Sequence, residues 1–102
     1  MADKVDFTMV KRTATKARRA VDFSGEMEAG DTVATVSVTA KDSTGADVSA
    51  SLVSAPAVSG TKVLWTLNAW GTVWESYYIR AVAMTTQGDT LPKVICLTIE
   101  GL

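Results

Sequence analysis

The sequence predicts an all-β protein, and two observations carry this prediction. Apolar side chains occur at every second position in three runs between Val63 and Ile99: Val63, Trp65 and Leu67; Tyr77, Ile79, Ala81 and Ala83; and Ile95, Leu97 and Ile99. A period of two places such residues on one face of a strand. The composition agrees, because 13 Val, 14 Thr and 3 Ile stand against only 6 Leu, and β-branched residues favour strands.

The length and the cysteine content limit the class of protein. A chain of 102 residues is long enough for one domain with a core that needs neither disulfides nor a metal. No apolar run approaches the ~18 residues of a membrane span, and the N-terminus has no segment typical of a signal peptide. The single cysteine, Cys96, allows no internal disulfide. We therefore expect a soluble protein made in a reducing cytoplasm, with no membrane partner.

The first half of the chain has weaker signals. Residues 1–19 show no sustained periodicity and are predicted to form an extended N-terminal arm. A short strand follows over Ala20–Ser24, and the Gly30-Asp31 turn precedes a strand over Val33–Ala40, with Val36 and Val38 on its buried face. Residues 48–58 contain Pro56, which cannot donate a ladder hydrogen bond, so this segment is predicted to be an edge strand or a bulged one.

The second half completes a regular series of strands and turns. Ser59-Gly60 is a hairpin turn into a strand over Lys62–Asn68, residues 69–75 form a loop, and Gln87-Gly88-Asp89 closes the next hairpin. About seven short strands with turns every 8–12 residues predict an immunoglobulin-like antiparallel β-sandwich over residues 20–102. Trp65 and Tyr77 lie where such folds place a core Trp and a corner Tyr.

Residues able to do chemistry are scarce. The chain has no histidine and no glycine-rich phosphate loop, and Cys96 lies in mid-strand with no activating base beside it. The densest acidic group is Asp22, Glu26, Glu28 and Asp31, and it lacks the ligand run and central Gly of a helix–loop–helix calcium site. We therefore expect a protein that is not an enzyme and that carries no cofactor and no metal.

The charge is unevenly distributed. Residues 1–19 contain six basic and two acidic residues, whereas the rest of the chain contains four basic and nine acidic ones. Such an arm can be a solvated leader, a segment that orders on a neighbouring subunit, or a nucleic-acid contact. Its candidate partner contacts are Phe7, Met9, Val10, Lys11, Arg12, Arg18 and Arg19.

The loop over residues 69–75 contains a second group of candidate contacts, Trp70, Val73 and Trp74. Loops run over the surface, and Trp is a favoured contact residue because it brings a large area with few torsions. Three interpretations remain open: both indoles cap the sandwich, they form a subunit interface, or they form a stacking platform for carbohydrate. The outward residues Tyr78, Arg80, Val82 and Met84 form a further row that a neighbouring element could cover.

Several short motifs occur in the order of a known family. They are Asp22-Phe23-Ser24, Gly30-Asp31-Thr32-Val33, Ser59-Gly60-Thr61 before a strand, and Tyr77 followed by Thr85-Thr86-Gln87-Gly88. This arrangement resembles the small immunoglobulin-like virion proteins of tailed bacteriophages, including fiber–tail adaptor proteins, over about residues 20–100. Phe23 replaces the Trp of that family, and Ala69-Trp70 replaces its Gly-Gly.

The resemblance implies a structural role with no catalytic residues. It implies a repeated subunit at a head, neck, tail or fiber junction of a virion, made in the cytoplasm of the host bacterium. The partners would be other virion proteins and copies of the chain itself. The alternative from the residues alone is a carbohydrate-binding module that uses Trp70 and Trp74.

Overall fold

The computed structural model describes residues 5–101, which form two sheets packed face to face. The strands within that range are β1 (Phe7–Arg12), β2 (Ala17–Asp22), β3 (Val33–Asp42), β4 (Val53–Ser59), β5 (Lys62–Leu67), β6 (Ser76–Thr85) and β7 (Thr90–Glu100). A 3₁₀ turn, Ser24–Glu26, and a single helical turn, α1 (Ser49–Leu52), complete the elements. The predicted all-β sandwich of about seven strands is confirmed. Over these residues, no helix is long and apolar enough to cross a membrane.

The strand order is that of an immunoglobulin-like sandwich. One sheet has the order β1-β7-β6-β3 and the other the order β2-β5-β4. Strands β2, β5 and β4 correspond to the B, E and D strands of such domains, and β3, β6 and β7 to C, F and G. The strand pairs are antiparallel except β1 and β7, which are parallel. The parallel pair involves β1, which lies in the segment predicted as an arm, and the pairs formed by the strands of the predicted sandwich are antiparallel.

The core lies where the alternating residues meet between the sheets. The residues predicted on the buried faces of β5, β6 and β7 are buried: Val63, Trp65, Leu67, Tyr77, Ile79, Ala81, Ala83, Ile95, Leu97 and Ile99. Phe23 and Leu52 join them from the connections. Val36 and Val38 are only partly buried against this core, because β3 is an edge strand and has a neighbour on one side only.

The segment predicted to be a separate arm is instead part of both sheets. Phe7–Arg12 pairs with Ile95–Glu100, and Ala17–Asp22 pairs with Lys62–Leu67. The predicted boundary at residue 19 therefore falls inside β2, and the prediction of a free arm is wrong for residues 7–19. The physical reason is that the inward positions of β1 lie beside buried side chains of β7. The first four residues of the predicted arm lie outside the described range.

Strand β4 is an edge strand, as Pro56 predicted. The register between β4 and β5 shifts between Ser54 and Ala57, and Ala55 has a φ of +50°. A bulge with a left-handed residue and a Pro interrupts the row of backbone donors at this edge. Residues 49–52, predicted as the start of this strand, form α1 instead. Asp47 Oδ1 accepts hydrogen bonds there from the Ser49 amide (2.8 Å) and hydroxyl (2.6 Å).

Candidate interaction site

The connection between β5 and β6 is held by Tyr77. The Thr72 N–H donates to Tyr77 Oη at 2.9 Å, which is the corner hydrogen bond expected near the start of the F strand. Gly71 has a φ of +125°. A Cβ at Gly71 would lie 2.9 Å from Ile99 Cγ1, so only glycine allows this close approach. The Trp70 ring packs on the Tyr77 ring, with centroids 5.5 Å apart and planes at 58°.

Trp74 lies at the other end of this connection and faces solvent. Its side chain is 71% exposed, and the neighbouring Val73 is 43% exposed. The Trp74 N–H donates to Ile99 O at 2.6 Å, and its φ is +68°. A bulky residue in the left-handed region is rare and costs about 1–3 kcal/mol. One hydrogen bond to β7 thus holds an exposed indole on a strained backbone.

Several elements converge around this indole. The Thr13 hydroxyl donates to Gly71 O at 3.3 Å, which joins the β1–β2 turn to the loop. The Ile99 N–H donates to Glu75 O at 3.1 Å, and the Ser43 hydroxyl lies 3.4 Å from Glu75 Oε2. We call the two exposed apolar side chains, Val73 and Trp74, the indole surface. It lies at the end of the sandwich where β1 and β7 end.

The two tryptophans therefore have different environments. Trp70 is partly buried and packs against the core, whereas Trp74 is exposed. The sequence placed both in one candidate contact with Val73. The structure brings Val73 and Trp74 to the surface and packs the Trp70 ring on Tyr77 and against the core. The interpretation that both indoles cap the sandwich fits the partly buried Trp70 and does not fit the exposed Trp74.

Lys11 is a second correction. It was predicted as a partner contact, but only 5% of it is exposed. Its position on β1 is inward, opposite Ile99. The ammonium donates to the carbonyl oxygens of Arg12 (2.9 Å), Thr13 (3.2 Å) and Thr15 (3.3 Å), so it closes the β1–β2 turn. Burial lowers the pKa of this ammonium.

The other predicted contact residues of β1 lie on different faces of the strand. Met9 packs against the core, and Val10 points outward and is 55% exposed. Phe7 is 41% exposed, and its ring lies 5.1 Å from Lys93 Nζ. Arg12 is exposed and lies opposite Glu100 on β7. Of these residues, Phe7, Val10 and Arg12 are accessible in the single chain.

The two arginines of β2 hold the second sheet. Arg18 Nη1 donates to Ala55 O at 2.8 Å and to Thr66 Oγ1 at 3.2 Å, so its guanidinium crosses β5 to the bulge of β4. Arg19 Nη1 donates to Arg18 O at 3.1 Å. Both were predicted as arm contacts. The structure gives Arg18 a structural role, because it binds the carbonyl of the left-handed Ala55.

The sequence analysis did not predict that the buried carboxylate of Asp31 joins two connections of the fold. Asp31 is 4% exposed, and its Oδ1 accepts from the Thr32 N–H (2.8 Å) and the Thr86 hydroxyl. The hydrogen bond from Thr86 is the main cause that holds the pKa of Asp31 below its ordinary value of 3.8. Asp31 therefore fastens the connection before β3 to the β6–β7 hairpin. The Gly-Asp-Thr motif was its only signal in the sequence.

Other carboxylates of the described range lie in turns rather than in a cluster. Over residues 5–101, no three His, Cys, Asp or Glu side chains lie close enough together to hold a metal ion. Hydrogen bonds within the turns lower the pKa values of three further carboxylates, with the Ser24 amide as the largest cause for Asp22, the Thr44 hydroxyl for Asp42 and the Ser49 hydroxyl for Asp47. These carboxylates stabilise turns.

The chain was compared with models of known protein families and with curated protein sequences. No protein-family model matches the chain, and no curated protein matches its sequence.

Proposed function

We propose that this chain is a non-enzymatic virion subunit of a tailed bacteriophage, which binds another virion protein through the indole surface. It would be made in the host cytoplasm and assemble at a head, neck, tail or fiber junction. The observation that carries this proposal is the state of Trp74, whose indole is 71% exposed while its backbone has a φ of +68°. The resemblance of residues 20–100 to such virion proteins supports the choice of assembly.

The geometry of the loop suits a contact between proteins. Trp is the residue type most enriched among those that dominate binding energy, and it binds best when the surrounding structure already holds it in place. The hydrogen bond to Ile99 O fixes the backbone of Trp74, and Tyr77 fixes that of Thr72. The backbone that carries the indole surface is therefore fixed before any partner binds, so binding does not have to order it.

Because residues 7–12 and 17–22 form β1 and β2, fewer of the predicted contact residues are available to a partner. Lys11 and Met9 are removed from it by burial, and Arg18 by its bonds to Ala55 O and Thr66. Arg12 remains accessible at the same end of the sandwich as Trp74. A nucleic-acid contact loses support, because the basic residues do not form a free arm in the described range.

The carbohydrate alternative is less favoured than assembly. A platform built from Trp70 and Trp74 needs both ring faces open to a sugar. The Trp70 ring is instead packed on Tyr77 and partly buried. Trp74 and Val73 are the exposed pair, and an indole beside an aliphatic side chain is typical of a protein contact.

The test uses particles assembled without this subunit, to which purified subunit is added. We expect the parent protein to bind and Trp74→Asn to bind at least about tenfold more weakly, because Asn tolerates a positive φ but offers little apolar area. Tyr78→Asn is the matched control, since it removes an exposed aromatic from the sheet face. Equal binding by Trp74→Asn and the parent would contradict the proposal that the indole surface is the contact. Quenching of Trp fluorescence by oligosaccharides would favour the carbohydrate-binding alternative.

A further inference from the structure

The four edge strands of the sandwich differ in how well they are protected against pairing with another strand. β4 is interrupted by Pro56 and the bulge, and β1 carries the inward-pointing Lys11. β2 carries Arg18 and Arg19. β3 is different, because it runs for ten residues and has no charge, Pro or Gly between Ala34 and Ala40. Inward charges, Pro and bulges are the usual means of blocking an edge. The register of β3 with β6 shifts between Val33 and Thr35, and from Thr35 to Ala40 β3 has none of these features.

The backbone of β3 presents unused hydrogen-bonding groups at this edge. The Ala40 N–H donates to Ser49 Oγ and the Ala40 carbonyl accepts from the Val48 N–H, so both groups point away from β6. Alternate residues of an antiparallel strand point their backbone groups the same way. Val36 and Val38 have the parity of Ala40, and within residues 5–101 their N–H and C=O groups have no partner at the edge.

The hydrogen bonds of the β6–β7 hairpin show independently that the backbone groups of Val36 and Val38 point away from β6. The Thr85 N–H donates to Asp89 O, and the alternation along β6 then directs the backbone groups of Ala83 and Ala81 toward β7. Ala83 and Ala81 are the register partners of Val36 and Val38. The groups of the two valines therefore face outward from the sheet.

We infer that this edge is a pairing site for a second copy of the same chain, through antiparallel contact of β3 with β3. This inference concerns a different surface from the indole surface and goes beyond the proposed function. The open stretch is short, because Ser49 and Val48 close it at Ala40, and Gly60 O accepts from the Val33 N–H at the other end. Residues 35–39 remain free to pair.

A two-fold axis at Ser37 makes this stretch complementary to itself. Val36 then pairs with Val38 of the second copy, and the two valine pairs exchange four backbone hydrogen bonds. On the outward face Thr35 lies opposite Thr39, a favourable cross-strand pair, and Ser37 lies opposite itself. No charged side chain opposes another within this stretch. The partly buried Val36 and Val38 also gain cover, which an unrelated polar partner would not supply.

The first experiment measures the molar mass of the full chain by analytical ultracentrifugation over increasing concentration. We expect a monomer–dimer equilibrium for the parent. Ser37→Lys places two like charges face to face at the axis, so the dimer dissociation constant should rise about tenfold or more. Thr8→Lys is the matched control, because Thr8 is exposed on the same face at the opposite edge of the sheet. It should leave the equilibrium unchanged.

A second variant separates pairing from misfolding. Equal amounts of Ser37→Lys and Ser37→Glu should form a mixed dimer, because the two opposed residues then carry opposite charges. Amide hydrogen exchange gives the site: Val36 and Val38 should become protected as concentration rises, while Ser37 stays protected throughout by its ladder with β6. A parent that stays monomeric, or a dimer insensitive to both charges, would overturn the inference.

Failure here is distinguishable from failure of the proposed function. Trp74→Asn should leave the β3 dimer intact, and Ser37→Lys should leave binding through the indole surface intact, because the two residues lie on different surfaces.

Discussion

The indole of Trp74 lies against the backbone of Gly101. A Cβ at Gly101 would be 2.8 Å from Trp74 Cζ2 and 3.1 Å from Cε2, closer than nonbonded carbons approach. Glycine at position 101 therefore leaves room for the ring at the end of β7. The position of this ring depends on the absence of a side chain 27 residues further along the sequence.

Gly101→Ala should move the indole without unfolding the sandwich. The ring is 71% exposed and can shift, so we expect a change in free energy of unfolding below about 0.5 kcal/mol. The Trp emission spectrum should change, because the solvent contact of Trp74 changes. Gly25→Ala is the matched control, since no atom lies within 4 Å of a Cβ there. An unchanged spectrum for Gly101→Ala would contradict the described ring position.

Trp74→Gly should be more stable than Trp74→Ala by about 1 kcal/mol. Both variants lose the indole, but alanine keeps the strained φ of +68°, whereas glycine adopts it freely. The relief of about 1–3 kcal/mol exceeds the 0.4–1 kcal/mol that glycine loses through the entropy of the unfolded chain. Urea unfolding of the two variants measures the difference. Equal stability would mean that the backbone at Trp74 carries no strain.

The alternation of apolar residues was sufficient to predict β5, β6 and β7 and their buried faces. Trp65, Ile79 and Leu97 repeat with a period of two, and both neighbours of each strand reinforce the pattern. The signal weakens at the edges. On β1, Phe7 and Met9 alternate correctly, but the third inward residue is Lys11, whose ammonium binds three carbonyls. A charged residue at an inward position of an edge strand interrupts the apolar alternation, so the sequence of such a strand resembles that of a solvated arm.

The candidate site was predicted only in part for a similar reason. The sequence showed that Trp70 and Trp74 share a loop, but the loop has no periodicity that assigns one ring to the core. Their difference depends on contacts with residues outside the loop: Trp70 packs on Tyr77, and Gly101 leaves room for Trp74. Such pairings depend on where β6 and β7 end, which local sequence does not determine.

Tyr77→Phe should destabilise the fold by about 1 kcal/mol. The substitution keeps the buried ring but removes the acceptor of the Thr72 N–H, and one hydrogen bond contributes about that amount. Urea unfolding measures the loss. Tyr78→Phe is the matched control, because the side chain of Tyr78 is 42% exposed on the opposite face of the same strand. If both variants lose equal stability, the corner hydrogen bond does not hold the loop.

Lys11→Met should destabilise the fold by about 1–2 kcal/mol, even though burial lowers the pKa of the lysine. Methionine fills a similar volume and avoids the cost of burying a charge. It leaves the carbonyls of Arg12, Thr13 and Thr15 without their shared donor, and this loss is the larger effect. Lys16→Met, at an exposed position of the same turn, should change stability by less than about 0.5 kcal/mol. A more stable Lys11→Met would show that desolvation dominates.

Asp31 should make the fold sensitive to acid. Its pKa in the folded chain lies below the ordinary 3.8, mainly because of the Thr86 hydroxyl. The folded state therefore binds the proton less readily than the unfolded one, so this stabilisation is complete above pH 3.8 and is lost as pH falls through the folded pKa. Asp31→Asn and Thr86→Val should both show a shallower loss of stability between pH 5 and pH 2 in urea unfolding. A slope in Asp31→Asn as steep as in the parent would place the acid sensitivity elsewhere.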